Sequence, residues 1–250
     1  IAAKNDDIDI NGFGVKVLPI KVIETGNIDS ALSATIEGIK YASGASNASN
    51  QVAPSSEGPI KVINMSLRFQ GWYFTSCPIS LQNAIDYAVS QGISVVAASG
   101  NDAQSFAGIT NWPAGCNGVI SVGNVQSDGT INPTSDYNSS VDISAPGTDI
   151  LAWDRSSDLN FKTGTSMASP IVSGVIANMY ALDSGLTPSE VDTYIAAGSF
   201  TNDLGSTGRD DYFGHGIINF AKAANSVITQ EGLSKTYAYV NPGLIDFGFN

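Results

Sequence analysis

The sequence predicts an α/β protein of three layers, with helices on both faces of a mostly parallel central sheet. Two observations carry this reading. Apolar runs of strand length alternate along the chain with stretches of helical periodicity, and that alternation implies a parallel sheet covered on both faces. At 250 residues and 42% hydrophobic, the chain also has enough apolar material to bury one sizeable core.

The elements follow in order. Gly14 to Ile23 reads as an apolar strand and Ile28 to Ser43 as an amphipathic helix. Ile60 to Ser66 is a strand, Ile79 to Gln91 a helix, and Ile93 to Ala98, Val119 to Val125 and Val141 to Ala145 are strands. The stretch from Ser166 to about Leu182 is apolar on nearly every side and too long for a strand, so it reads as a buried helix, with Pro170 in its first turn. Thr187, followed by Pro188 and Glu190, reads as an N-cap opening a further helix through Ala197. Gly44 to Gly58 and Ser199 to Asp211 are rich in turn-forming residues and read as exposed loops.

A net charge of −12 argues against nucleic acid or an anionic membrane surface as partner. No apolar run reaches transmembrane length, so membrane insertion is not expected. Cys77 and Cys116 are compatible either with two free thiols or with one bridge. In "KNDDIDING", Asp6, Asp7, Asp9 and Asn11 place oxygen ligands at alternating positions; these suit a structural Ca²⁺, and they equally suit a solvated acidic loop. No other cofactor is expected.

"KTGTSMASPIVSG" places Ser166 at the start of the buried helix, where unpaired N–H groups and the helix dipole favour developing negative charge. Such a position suits a nucleophile, and it equally suits Thr165 or Ser166 as a helix cap. Asn101 follows Gly100 at a strand end, where it reads as a turn residue or as a donor into a site. In parallel sheets, sites form beyond the carboxyl ends of strands, where Ser66 and Asn101 both fall.

"GTSMASP" resembles the nucleophile motif of the subtilisin-like serine proteases (subtilases, peptidase S8). "VINMSL" is similar to the strand lining that family's substrate cleft, "VVAASGN" to its oxyanion-hole strand, and "FGHGIIN" to a segment near the end of its catalytic domain. The resemblance implies a subtilisin-like fold and a serine endopeptidase acting on polypeptides through an acyl-enzyme on Ser166. Asn101 would be the oxyanion donor, and Ser66, Leu67, Arg68, Ala98, Ser99, Gly100, Gly164 and Thr165 would line the substrate site. It further implies a Cys77–Cys116 disulfide and an exported bacterial protein, secreted or held at the cell surface or in the periplasm.

The family's catalytic Asp and His lie in segments ahead of anything present here. The resemblance therefore implies a sheet incomplete without an N-terminal segment, residues 1–228 being the C-terminal part of the peptidase domain and Ile1 a cut site or an artificial boundary. A separate N-terminal fragment would supply Asp and His, and a propeptide would be a further partner. It equally accommodates a non-catalytic relative, a peptide-binding scaffold without acid–base machinery. His215, the sole histidine, aligns with a variable position and reads as structural or solvent-facing. Lys162 lies beyond the Gly164 turn, and nothing aims it at Ser166 as a substitute base. Arg68 stands where the family commonly has Gly. A side chain there would narrow the pocket, pair with an acidic substrate, or point to solvent, and the rule that long charged side chains are seldom buried unpaired favours solvent. The tail from 229 to 250 ends in "LIDFGFN", which resembles the opening strand of an immunoglobulin-like module.

Overall fold

A computed structural model describes residues 12–23, 28–51, 53, 58–69, 76–103, 111–153 and 158–230. The acidic loop at Asp6, Asp7, Asp9 and Asn11 and the tail beyond residue 230 lie outside the described residues.

The central sheet has six strands in the order β1 (Val62–Met65), β2 (Ser94–Ala98), β3 (Val119–Val125), β4 (Ile143–Pro146), β8 (Ile217–Ile218) and β7 (Thr201–Asn202). All neighbours pair in parallel except β7 and β8. A second, two-stranded sheet is the antiparallel hairpin β5 (Ile150–Trp153) and β6 (Leu159–Lys162). Helices α1 (Ile28–Ser43) and α2 (Ile79–Ser90) cover one face. The other face carries α3 (Thr165–Leu182), α4 (Pro188–Ala196) and α5 (Phe220–Gln230).

Alternation along the strands divides the core in two. Val96, Ile120 and Val122 point to the α3 face, where they meet Ala168, Val172, Ile176 and Met179. Val95, Ala97 and Val119 point the other way, onto Leu81, Ile85 and Ala88 of α2 and Ile39 of α1. Strands β2, β3 and β4 are buried along their whole length, which is why they read as continuous apolar runs. β1 is different. It is the edge of the sheet, and three of its four residues are only half-buried.

Three expectations need correction. Gly14 to Ile23 is not a strand: among the described residues no neighbour pairs with it. Instead Phe13 packs on α3 at Gly174, while Ile20 and Val22 lie against Gly38 of α1. The segment thus passes from one face of the sheet to the other with Val17, Leu18, Ile20 and Ile23 exposed. Second, the supposed loop from Ser199 to Asp211 contributes β7, an edge strand of two residues. Third, Pro170 is the sixth residue of α3 rather than part of its first turn. Proline there deletes the hydrogen bond that would reach back to the Ser166 carbonyl. That carbonyl instead accepts from the Ser66 hydroxyl at 2.9 Å.

α4 opens as expected, with the Thr187 hydroxyl accepting from the Glu190 N–H and Glu190 returning a bond to the Thr187 N–H. Cys77 and Cys116 form a disulfide joining the segment before α2 to the loop before β3. Closing a loop of 39 residues restricts the unfolded chain. Replacing both cysteines with serine is expected to cost about 3–4 kcal/mol of stability, measured by denaturant unfolding. No change in midpoint would contradict that role.

Candidate active site

The site forms where the carboxyl ends of β1 and β2 meet the amino end of α3. Gly164 precedes α3 at φ 151°, and its N–H donates to the Gly147 carbonyl at 2.8 Å. A side chain at Gly164 would press on the Asn101 amide at 3.3–3.4 Å. Asn101 holds the helix start directly: its Oδ1 accepts from the Thr165 N–H at 2.9 Å and from the Thr165 hydroxyl at 3.1 Å. Thr165 Oγ1 in turn accepts from the Gly100 N–H at 3.2 Å. Spending the amide oxygen on Thr165 orients Asn101 and leaves its N–H groups for a ligand. Neither Thr165 nor Ser166 caps the helix, because Gly164 occupies the cap position.

Ser166 is the second residue of α3 and is half-buried. Its hydroxyl lies 3.4 Å from the Ser66 carbonyl, and no histidine stands beside it among the described residues. A polar ladder keys α3 to β1. The Asn64 amide donates to Ser66 Oγ at 3.0 Å, and Ser173 donates to Asn64 Oδ1 at 3.1 Å. Ser66 Oγ and Ser169 Oγ are 3.1 Å apart. Asn64, Ser169 and Ser173 escaped the sequence reading, since a polar residue within an otherwise apolar strand or helix carries no signal of what it meets.

Arg68 overturns its expectation. It does not point to solvent: its side chain is 12% exposed and bridges two carboxylates, Asp136 at 3.1 Å and Asp102 at 2.6 Å. The rule against burying unpaired charge still holds, but the partners lie far along the chain. Asp136 is fully buried, and it also accepts from the Asn111 amide at 2.8 Å and the Asp102 N–H at 2.8 Å. It sits directly beneath Gly100, where a Cβ would lie 2.0 Å from its Oδ2. Only glycine fits that position, whose φ of 123° also disfavours any side chain.

A family profile of the subtilases (peptidase S8) matches residues 1–216. The chain belongs to the subtilase family. It is 37% identical over 204 residues to an extracellular protease of Xanthomonas campestris pv. campestris, covering 78% of this chain and 33% of that protein. It is 32% identical over 256 residues to an extracellular basic protease of Dichelobacter nodosus, covering 96% of this chain and 40% of that protein. A solved protease structure from Pseudoalteromonas arctica superimposes with a TM-score of 0.65 at 32% identity, over 78% of this chain and 58% of that one. This subtilase chain thus spans a third of the first of these curated relatives and two fifths of the second.

His215 stands apart from the site. It precedes β8, as Asp142 precedes β4 and Gly118 precedes β3, so it lies at the amino ends of the strands, opposite Ser166. Its backbone N–H donates to the Asp142 carbonyl at 2.8 Å. With Asp142, Asp192 and Ile195 it lines a cavity of about 280 Å³. Burial lowers the His215 pKa, and Arg209 lowers it further. Burial raises Asp192. Burial likewise pushes Asp142 up to about 6, against a bond from the Ser121 N–H and the charge of Arg209, while Asp192 adds to the rise. Between the ordinary value of 3.8 and about 6, the folded chain holds a proton at Asp142 that the unfolded chain has lost. Wild-type stability from this group therefore falls as pH rises through that window. Asp142→Asn is expected to raise the melting temperature at pH 7, with the advantage over wild type vanishing towards pH 4. An advantage that does not vary with pH would contradict a buried, protonated Asp142.

Proposed function

We propose that this chain is the nucleophile-bearing part of a serine endopeptidase. The observation that carries the reading is the Asn101–Thr165 pair, which holds a side-chain amide donor and a helix N-terminus together around Ser166. Ser166 Oγ attacks the carbonyl of a peptide bond, and its proton passes to a histidine. The tetrahedral oxyanion is met by the Asn101 side-chain N–H and the Ser166 backbone N–H, as an oxyanion hole requires. Collapse expels the amine leaving group, which takes the proton from the histidine. Water then releases the acyl group by the reverse sequence. Nothing in these steps calls for a cofactor.

The histidine and its aspartate come from an N-terminal segment outside this sequence. Two features support that reading. β1 is an edge strand with half-buried apolar residues. The stretch 12–23 forms no strand, and Val17, Leu18, Ile20 and Ile23 on it are exposed. A strand of the N-terminal segment would pair the β1 edge, cover exposed apolar side chains such as these and carry its catalytic groups to the carboxyl end of the sheet. The polypeptide substrate adds as an extended strand along Ser66–Arg68 on one side and Ala98–Gly100 on the other, bound chiefly through its main chain. The disulfide, the extracellular relatives and the absence of a membrane-spanning helix among the described residues support action outside the cell.

In the full-length precursor, Ser166→Ala is expected to abolish cleavage of a casein substrate. Asn101→Ala is expected to lower kcat by about 10²–10³ with KM little changed, a magnitude measured for the equivalent donor in subtilisin itself. Cleavage that survives Ser166→Ala would contradict the assignment of the nucleophile.

A further inference from the structure

The ends of β1 and β2 are neighbours in the sheet, with Met65 opposite Ala97. Beyond that pair the two chains continue as 66–69 and 98–102, the edges between which a substrate side chain would enter. The far side is closed too. The Phe69 N–H donates to the Trp112 carbonyl at 3.2 Å, and the Asn111 amide donates to the Ser99 carbonyl at 2.9 Å. Arg68 starts on the first edge and reaches Asp136, beneath Gly100 on the second, and Asp102 at that edge's end. Its guanidinium therefore crosses the gap between the two edges.

We propose that Arg68, held by Asp136 and Asp102, is the floor of the pocket for the residue before the cut and restricts that residue to small uncharged side chains. This rests on the cleft reading given under Proposed function. Three features of the cluster set the selectivity. The arginine takes up space that a long side chain would need. Its charge is already met by two carboxylates, so an acidic substrate side chain gains little from it. The cluster of one cation and two anions carries a net charge of −1, and an added carboxylate would be repelled. The guanidinium is also fixed rather than mobile, because moving Arg68 away would break its ion pair with the fully buried Asp136 carboxylate.

Peptide binding to the full-length precursor carrying Ser166→Ala tests this without requiring chemistry. Isothermal titration is run with peptides differing only in the residue before the cut: Ala, Phe, Asp or Lys. The Ala peptide is expected to bind tightest. In Arg68→Gly/Asp136→Asn, which removes the floor and the buried charge together, the Phe peptide is expected to gain about 10–100-fold relative to Ala. Tightest binding of the Asp peptide would overturn the proposal, because the guanidinium would then be reading the substrate. Equal or tighter binding of Phe than Ala with Arg68 present would overturn it as well, and so would an unchanged Ala-to-Phe ratio in a double variant that melts like the parent. If the double variant does not fold, the four-peptide series on the Arg68 protein decides alone. Failure of every peptide to bind would remove the cleft reading and this proposal together. A precursor that prefers the Ala peptide yet leaves Ser166 inert to a fluorophosphonate would remove only the proposed catalysis.

Discussion

The site depends on the burial of α3. This helix is apolar on nearly all sides and is pressed against β2, β3 and β4 by Ala168, Val172, Ile176 and Met179. Each such side chain is worth roughly 1.5–3 kcal/mol when fully buried, apart from the smaller alanine, so the helix has little freedom to shift along the sheet. Its first turn is consequently fixed at the carboxyl ends of β1 and β2. Ser166 owes its place to that packing, and the polar contacts around it adjust a position already set by the core.

Those contacts solve a problem that Pro170 creates. A proline in the second turn leaves the Ser166 carbonyl without its helical donor. The Ser66 hydroxyl fills the gap, and Asn64 orients that hydroxyl. One bond thereby satisfies an orphaned carbonyl and joins the Ser166 peptide unit to the end of β1. Asn101 makes the corresponding connection on the β2 side through Thr165. The two strand ends and the helix are thus tied together by hydrogen bonds from residues more than 60 positions apart in sequence.

Much of the fold was legible because buried strands and a buried helix announce themselves by composition. Val119–Val125 coincides with its expected range, and α2 and α3 begin and end within a residue of theirs. Elements whose identity rests on a partner were not legible. Gly14 to Ile23 has strand composition and no paired neighbour among the described residues. β7 and β8 are two residues each, too short to carry a pattern, and β5 and β6 are defined only by their antiparallel pairing with each other. At the site, the meeting of Asn101 with the start of α3 at Thr165 and Ser166 was foreshadowed because both lie in contiguous motifs. Arg68 was misread because Asp136 lies 68 positions away, and a buried ion pair leaves no local trace.

The most direct test of the account is intact-mass spectrometry of this 250-residue chain after treatment with a fluorophosphonate, alone and after addition of the precursor's N-terminal segment as a separate polypeptide. One adduct on this chain, formed only when the segment is present and lost in Ser166→Ala, is the expected result. An adduct formed equally without the segment, or none in either case, would contradict the claim that the β1 edge completes the site by accepting the residues that activate Ser166.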